Sequence, residues 1–305
     1  MKKIFQTSML QGLVCSLMVL AMAPQAASAQ ALDRIKKTGS LQLGFIDGAA
    51  PYSYTGADGK PAGYDIEVCQ FVAEAVKAKL AAPKLNVQYS ALKSDDAEAA
   101  VAQGKVDLLC TATVESLKRR EQMSYSIPVV NGGVGVLLRK DAPQAMRDVL
   151  NGKVARTGPI WRATVNGGRS NHTYAVRAGT VTQDWVREQV RTLGVTVNAI
   201  VVDDYAKGIE LVKAKQADAF FAERGLLKDY VERNKAQGDL EVLPRRFASE
   251  PLALAMGRND DDFRLLVDTA LSRLLKSKDF QPLYQRHFGP LDAASRVIYQ
   301  EFALP

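Results

Sequence analysis

The chain has 305 residues and carries 40 Lys and Arg against 33 Asp and Glu, a net charge of +7. That length suits one large domain or two of ordinary size, and the basic residues are scattered without the aromatic–basic stripe of a nucleic-acid surface. Two histidines, His172 and His287, and three cysteines offer no metal-ligand spacing, so neither a metal nor a cofactor is expected.

The first 29 residues have the pattern of an export signal. Lys2 and Lys3 open it, 9–23 are mostly apolar, and Ala27-Ser28-Ala29 fits the small-residue cleavage rule. The apolar run is short for a bilayer span and is interrupted by Gln11 and Ser16, which argues against an anchor. Cys15 lacks the small residues that precede a lipoprotein cysteine and falls in the removed peptide. The expectation is a protein cut near Ala29 and released in the periplasm.

Strand and helix patterns then alternate, as in an α/β fold. Residues 41–46 read as a strand. Asp65 is placed to cap a helix whose apolar side carries Ile66, Cys69, Val72, Val76 and Leu80. Residues 85–92 are extended, 95–103 helical up to Gly104, and 106–110 a buried strand. Beyond it a polar loop presents Thr111, Thr113 and Arg119 at the strand's carboxyl end, where open α/β sheets bind ligands. A guanidinium beside hydroxyls and backbone N–H groups suits a small carboxylate. Residues 133–139 form a long extended run. Cys69 and Cys110 either pair in an oxidising compartment or remain buried thiols.

The second half repeats the theme. Residues 174–177 read as a strand ending at Ala178-Gly179-Thr180, and Thr182 is placed to cap the helix 183–193, which stops at Gly194. A strand at 195–202, a helix at 205–216 capped by Asp204, and an apolar strand at 217–222 follow. Residues 240–243 and 252–256 are extended, with a return crossing between the lobes near 244–251. Asp260-Asp261-Asp262 then opens a helix with Phe263, Leu266, Val267, Ala270, Leu271 and Leu274 on one side. Two α/β lobes with a ligand cleft between them follow from this order.

Four segments carry a resemblance. They are residues 41–44 with Pro51-Tyr52-Ser53-Tyr54 and Asp58-Gly59-Lys60-Pro61-Ala62-Gly63-Tyr64-Asp65; the stretch 104–128 with its Tyr-Ser-x-Pro ending; Ala178-Gly179-Thr180; and 216–223 with Leu283-Tyr284 and His287-Phe288-Gly289. In this order and spacing the chain resembles the periplasmic amino-acid-binding proteins of ABC importers, nearest their glutamate/aspartate-binding branch. The resemblance implies the type II two-lobed periplasmic-binding-protein fold. Residues 30–138 would form the first part of lobe 1 and 139–245 lobe 2, with 246–305 returning to lobe 1. It further implies Arg119, seven residues before Ser126, as the carboxylate-binding arginine, and Thr180 as a second contact to that carboxylate. Glu223, five residues past Asp218, stands where the family's amine-binding acid is usually aspartate. Ser94 and Tyr205 match side-chain contacts, and Tyr52 lies in the first motif. Apart from the resemblance, Arg119 has Glu115 and Glu121 as surface partners, Glu223 has Arg224, Thr180 suits a helix start, and Lys118, Arg120 and Arg139 read as surface charge.

The pattern also breaks. Dicarboxylate binders of this kind place arginines at the positions of Ile46 and Ala97. Val114 replaces a hydroxyl, and Ala49 stands where binders of cationic amino acids stack an aromatic ring. An unpaired carboxylate in a closed cleft is costly, so an uncharged and bulkier ligand is expected. The stretch 156–173, with Trp161, Arg162, Arg169 and His172 among glycines, has no counterpart and is expected at the cleft rim, where Arg162 or Arg169 is a candidate to replace a missing arginine. The implied function is capture of a free amino acid by lobe closure and delivery to a membrane permease, by a monomer. The alternatives are a periplasmic lyase of the cyclohexadienyl dehydratase type and a ligand-binding sensor. No Ser-His-Asp, Cys-His or metal constellation supports an enzyme, although Glu223 is a candidate acid or base.

Overall fold

The computed structural model describes residues 31–153 and 171–305. The expected export signal, residues 1–29, and residues 156–170 of the insert, with Trp161, Arg162 and Arg169, lie outside the described residues. The chain opens with α1 (Ala31–Thr38), β1 (Ser40–Ile46) and a small two-stranded ribbon, β2 (Tyr54–Thr55) with β3 (Pro61–Ala62). Then come α2 (Tyr64–Lys79), β4 (Asn86–Leu92), α3 (Ser94–Ala102), β5 (Leu108–Val114) and the single turn α4 (Leu117–Arg120). The long strand β6 (Met123–Arg139) leads to α5 (Gln144–Leu150), β7 (His172–Arg177), α6 (Val181–Leu193), β8 (Val197–Val202), α7 (Tyr205–Lys213), β9 (Ala219–Glu223) and α8 (Arg224–Arg233). The chain closes with β10 (Leu240–Val242), β11 (Ala248–Gly257), α9 (Asp261–Lys276), α10 (Phe280–Phe288) and α11 (Ala293–Phe302).

One sheet runs through the molecule in the order β4-β1-β5-β11-β6-β9-β7-β8. β1 lies parallel to β4 and β5, and β7 parallel to β8 and β9. Between these sets, β11 is antiparallel to β5 and to β6, and β6 is antiparallel to β9. Three successive reversals make the two parallel sets run towards each other. Their carboxyl ends therefore meet in the middle of the molecule, where such ends bind ligands.

Each lobe has apolar cores on both faces of its part of the sheet. In the first, Leu41, Leu43, Val72, Val76, Leu254, Phe263, Val267 and Leu271 pack together on one face, and Val101, Val106, Leu109, Met123 and Ala255 on the other. In the second, the two-residue period of a strand sorts β9: Phe221 joins Val134, Val136 and Tyr174, while Phe220 joins Leu137, Ala175 and Ile209. Full burial of each phenylalanine contributes about 2–3 kcal/mol.

Several sequence expectations need correction. Asp65 does not cap α2. The helix starts at Tyr64 after Gly63, whose φ of 121° is paired with a Cβ position that would meet Tyr52 O at 2.3 Å. The first N–H groups of the helix, from Tyr64 and Asp65, donate to the carbonyls of Pro51 and Tyr52, so no side-chain cap is needed. The Asp65 carboxylate turns into the sheet instead, where Oδ2 accepts from Ala112 N at 2.6 Å. Thr182 is likewise not the cap of α6. Thr180, in extended conformation after the left-handed Gly179, accepts from Gln183 N at 3.2 Å, and Thr182 is buried in the first turn.

Thr111 and Thr113 lie inside β5, since pairing with β11 carries that strand on to Val114. Arg139 is no surface charge: it donates to the carbonyls of Val212 and Ala217, both at 2.9 Å, and so clamps the turn between α7 and β9. That turn ends α7 at Lys213 and delays β9 to Ala219. Cys69 of α2 and Cys110 of β5 form a disulfide with Cα atoms 6.0 Å apart. Among the described residues no helix is long and apolar enough to cross a membrane.

Candidate functional site

A cavity of about 370 Å³ lies where the two sets of strand ends meet. All nine residues singled out from the sequence line it: Ile46, Tyr52, Ser94, Thr111, Thr113 and Arg119 on one wall, and Thr180, Tyr205 and Glu223 on the other. Ala49, Ala97 and Val114, the positions where the family pattern breaks, line it as well.

Local structure fixes each group. β5 delivers Thr111 and Thr113, and α4 delivers Arg119, whose turn is capped by Ser116 Oγ accepting from Arg119 N at 3.3 Å. The Arg119 guanidinium donates through Nη1 to Thr113 Oγ1 and to Val114 O, both at 2.9 Å, and forms an ion pair with Glu98, whose Oε1 lies 2.8 Å from Nε. Its carboxylate partner is thus neither Glu115, which pairs with Arg120, nor Glu121. Thr111 is not a free hydroxyl. Ser53 Oγ donates to Ile46 O at 2.7 Å, leaving Thr111 to donate to Ser53 Oγ at 2.6 Å while it accepts from Ile46 N at 2.8 Å. This closed set of bonds spends the Thr111 proton on joining the ends of β1 and β5.

On the opposite wall, Glu223 ends β9 and caps α8. Its Oε2 accepts from Leu226 N at 3.0 Å and from the Tyr52 hydroxyl at 2.7 Å, so a bond crosses the cleft. Burial raises the Glu223 pKa above the usual carboxylate range, against the lowering effect of Tyr52 and the backbone N–H groups. Burial and the nearby Glu223 push the Tyr52 hydroxyl well above its ordinary value, so it stays a donor. The Thr180 hydroxyl donates to Arg177 O at 2.8 Å, which places the start of α6 against the cavity.

The structure adds residues that the sequence reading missed. Arg177 lies over the Tyr205 ring at 5.0 Å and lines the cavity; its place one residue before Ala178-Gly179-Thr180 was the available signal. Glu98, next to Ala97, and Glu250 on β11 also line it. Burial and then Glu223 raise the Glu250 pKa. No local motif marks Glu98 or Glu250. Among the described residues no cluster of His, Cys, Asp and Glu fits a metal ion. The arrangement presents a guanidinium on one wall and a buried carboxylate on the other.

Known proteins share this architecture. A substrate-binding protein of an ABC uptake transporter from Streptococcus pneumoniae, solved with bound histidine, superposes with a TM-score of 0.69 at 20% identity, covering 86% of this chain and 97% of that one. An ancestral amino acid-binding protein, a precursor of cyclohexadienyl dehydratase, gives 0.68 at 20% identity, over 85% of this chain and all of that one. In sequence, the chain is 27% identical over 258 residues to the L-glutamate/L-aspartate-binding protein of Pseudomonas aeruginosa, covering 84% of this chain and 79% of that protein. It is 24% identical over 285 residues to the L-cystine-binding protein TcyJ of Escherichia coli, covering 92% and 94%. The family profile of the bacterial extracellular solute-binding proteins, family 3, matches residues 41–290. The two facing lobes, the cavity between them and this match agree: the chain belongs to the family 3 extracellular solute-binding proteins.

Proposed function

We propose that the protein captures a free amino acid in the periplasm and hands it to the membrane permease of an ABC importer. The observation that carries this reading is the convergence of Arg119 with Thr180 and Glu223, from opposite walls, on one cavity. In this reading Arg119 and the backbone N–H of Thr180 take the ligand carboxylate, the Thr180 hydroxyl being spent on Arg177 O, and Glu223 takes the ammonium. The ammonium supplies the charge partner that burial denies Glu223 in its absence. Ligand held by both walls favours the closed arrangement by its differential affinity. Residues 30–131 and 252–305 act as one lobe and 134–248 as the other, since Val134, Val136 and Leu137 pack with β9; the first 29 residues direct export, and the protein works as a monomer.

Ile46 and Ala97 replace the two arginines of the dicarboxylate binders, which leaves Arg177, over the Tyr205 ring, as the second base among the described lining residues; in this reading the ligand is an amino acid other than glutamate or aspartate. A thermal-shift screen of the ligand-stripped protein against the twenty common amino acids tests this, since a ligand that binds only the folded state raises the melting point. The expected result is a rise with a subset that excludes the dicarboxylic acids. A rise with glutamate or aspartate overturns the pocket reading, and no rise with any amino acid overturns the ligand class.

A further inference from the structure

The donor inventory of Arg119 points to an occupant that belongs to the protein itself. A guanidinium has five N–H groups. Nη1 spends both of its hydrogens on Thr113 Oγ1 and Val114 O, and the Glu98 carboxylate is ion-paired at Nε, with Oε1 2.8 Å away. Glu98 thus occupies the space beside Nε, and Nη2 carries two further hydrogens. An incoming carboxylate can be held by two parallel bonds only along an edge of the fork, either Nη1 with Nη2 or Nε with Nη2. Thr113 and Val114 close the first edge, and both belong to the strand end and cannot leave. The second edge is closed by a side chain that can. Glu98 is 42% exposed, against 19% for Arg119, and it stands on α3 with open solvent to turn into.

We infer that Glu98 is a resident competitor for the carboxylate subsite: it holds the Nε edge of Arg119 until a ligand carboxylate displaces it, and it thereby sets the affinity of the site. The inference rests on the carboxylate role proposed for Arg119. It assigns to Glu98 a task opposite to that of a ligand contact, because removing it strengthens binding. It also selects among ligands. One with a freely presented α-carboxylate forms the two-bond pair and offsets the loss of Glu98. A ligand restricted to a single bond at Nη2 leaves Glu98 in place and gains little.

The test is isothermal titration of the wild type, Glu98→Gln, Glu98→Ala and Asp95→Asn with each of the twenty amino acids that stabilises the wild type in the thermal screen. Asp95 lines the same cavity on the same helix without touching Arg119. It therefore reports the general effect of removing one negative charge. Both Glu98 variants are expected to bind about three- to ten-fold more tightly, as suits the loss of one partly exposed ion pair, with the alanine at least as tight as the glutamine. Asp95→Asn is expected to change affinity by less than about two-fold. Weaker or unchanged binding in the Glu98 variants overturns the inference and makes Glu98 a ligand contact or a bystander. Equal tightening by Asp95→Asn overturns it in favour of a general field. If no amino acid binds the wild type, the ligand class proposed above fails, and this inference falls with it.

Discussion

Asp65 offers the sharpest test of the physical account. It is fully buried against β5, with Oδ2 bonded to Ala112 N, while Oδ1 has no hydrogen-bond partner. An ionised carboxylate there leaves one charged oxygen in an apolar site, and burial raises its pKa from 3.8 to about 7, with Ala112 N–H opposing and Glu223 adding to the rise. The folded value lies above the unfolded one. The folded state therefore keeps a proton that the unfolded chain loses, and stability is full below pH 4 and falls as pH rises towards 7. Three units at 1.36 kcal/mol each give a loss of about 4 kcal/mol across that window. The assay is urea unfolding of wild type and Asp65→Asn at steps from pH 4 to pH 8. Subtracting the two profiles cancels every other titrating group, and the asparagine contributes a pH-independent offset. The wild-type advantage is expected to fall by up to about 4 kcal/mol and to level off above pH 8. A flat difference, or one that rises with pH, refutes the reasoning, because it means that the Ala112 N–H bond holds Asp65 ionised throughout.

Arg119→Ala is expected to weaken amino-acid binding by at least about 100-fold, from the loss of two charge-assisted bonds, with the ligand-free protein still folded at a melting point lowered by the loss of its bonds to Thr113 and Val114; unaltered affinity removes Arg119 from the site. The Cys69–Cys110 disulfide spans 41 residues, and chain entropy gives it about 4 kcal/mol of stability, so Cys69→Ala with Cys110→Ala should unfold at clearly lower urea and the reduced wild type should match it. Gly208→Ala in α7 places a Cβ 2.4 Å from the Phe220 ring, and overpacking there should cost roughly 2–3 kcal/mol, read as a lower urea midpoint at constant slope.

How much of this was legible depends on how far each residue acts along the chain. Arg119, Thr180 and Glu223 sit in short motifs beside strand ends, and the alternation of strands and helices was enough to bring them to one place. Helix starts were misread where a glycine turns the chain just before the helix. Gly63 and Gly179 redirect the chain, so Asp65 and Thr182, which look like caps, fall inside the first turn. Arg139 looked like surface charge because its partners, Val212 and Ala217, lie more than 70 residues away. Glu98 was invisible for the same reason: a helical glutamate is ordinary, and only the packing of α3 beside α4 sets it on the guanidinium.

The central pair of strands has a mechanical consequence. β6 is one unbroken 17-residue strand, bonded to β11 in one lobe and to β9 in the other. At Gly132 and Gly133 an added Cβ would meet Glu250 O at 2.8 Å and Ala248 O at 2.2 Å, and the register slips between Leu252 and Ala255. A joint built from bonded strands differs from a floppy tether: it bends as a leaf spring, with a restoring force. Any change in the angle between the lobes therefore bends paired strands and not a free linker.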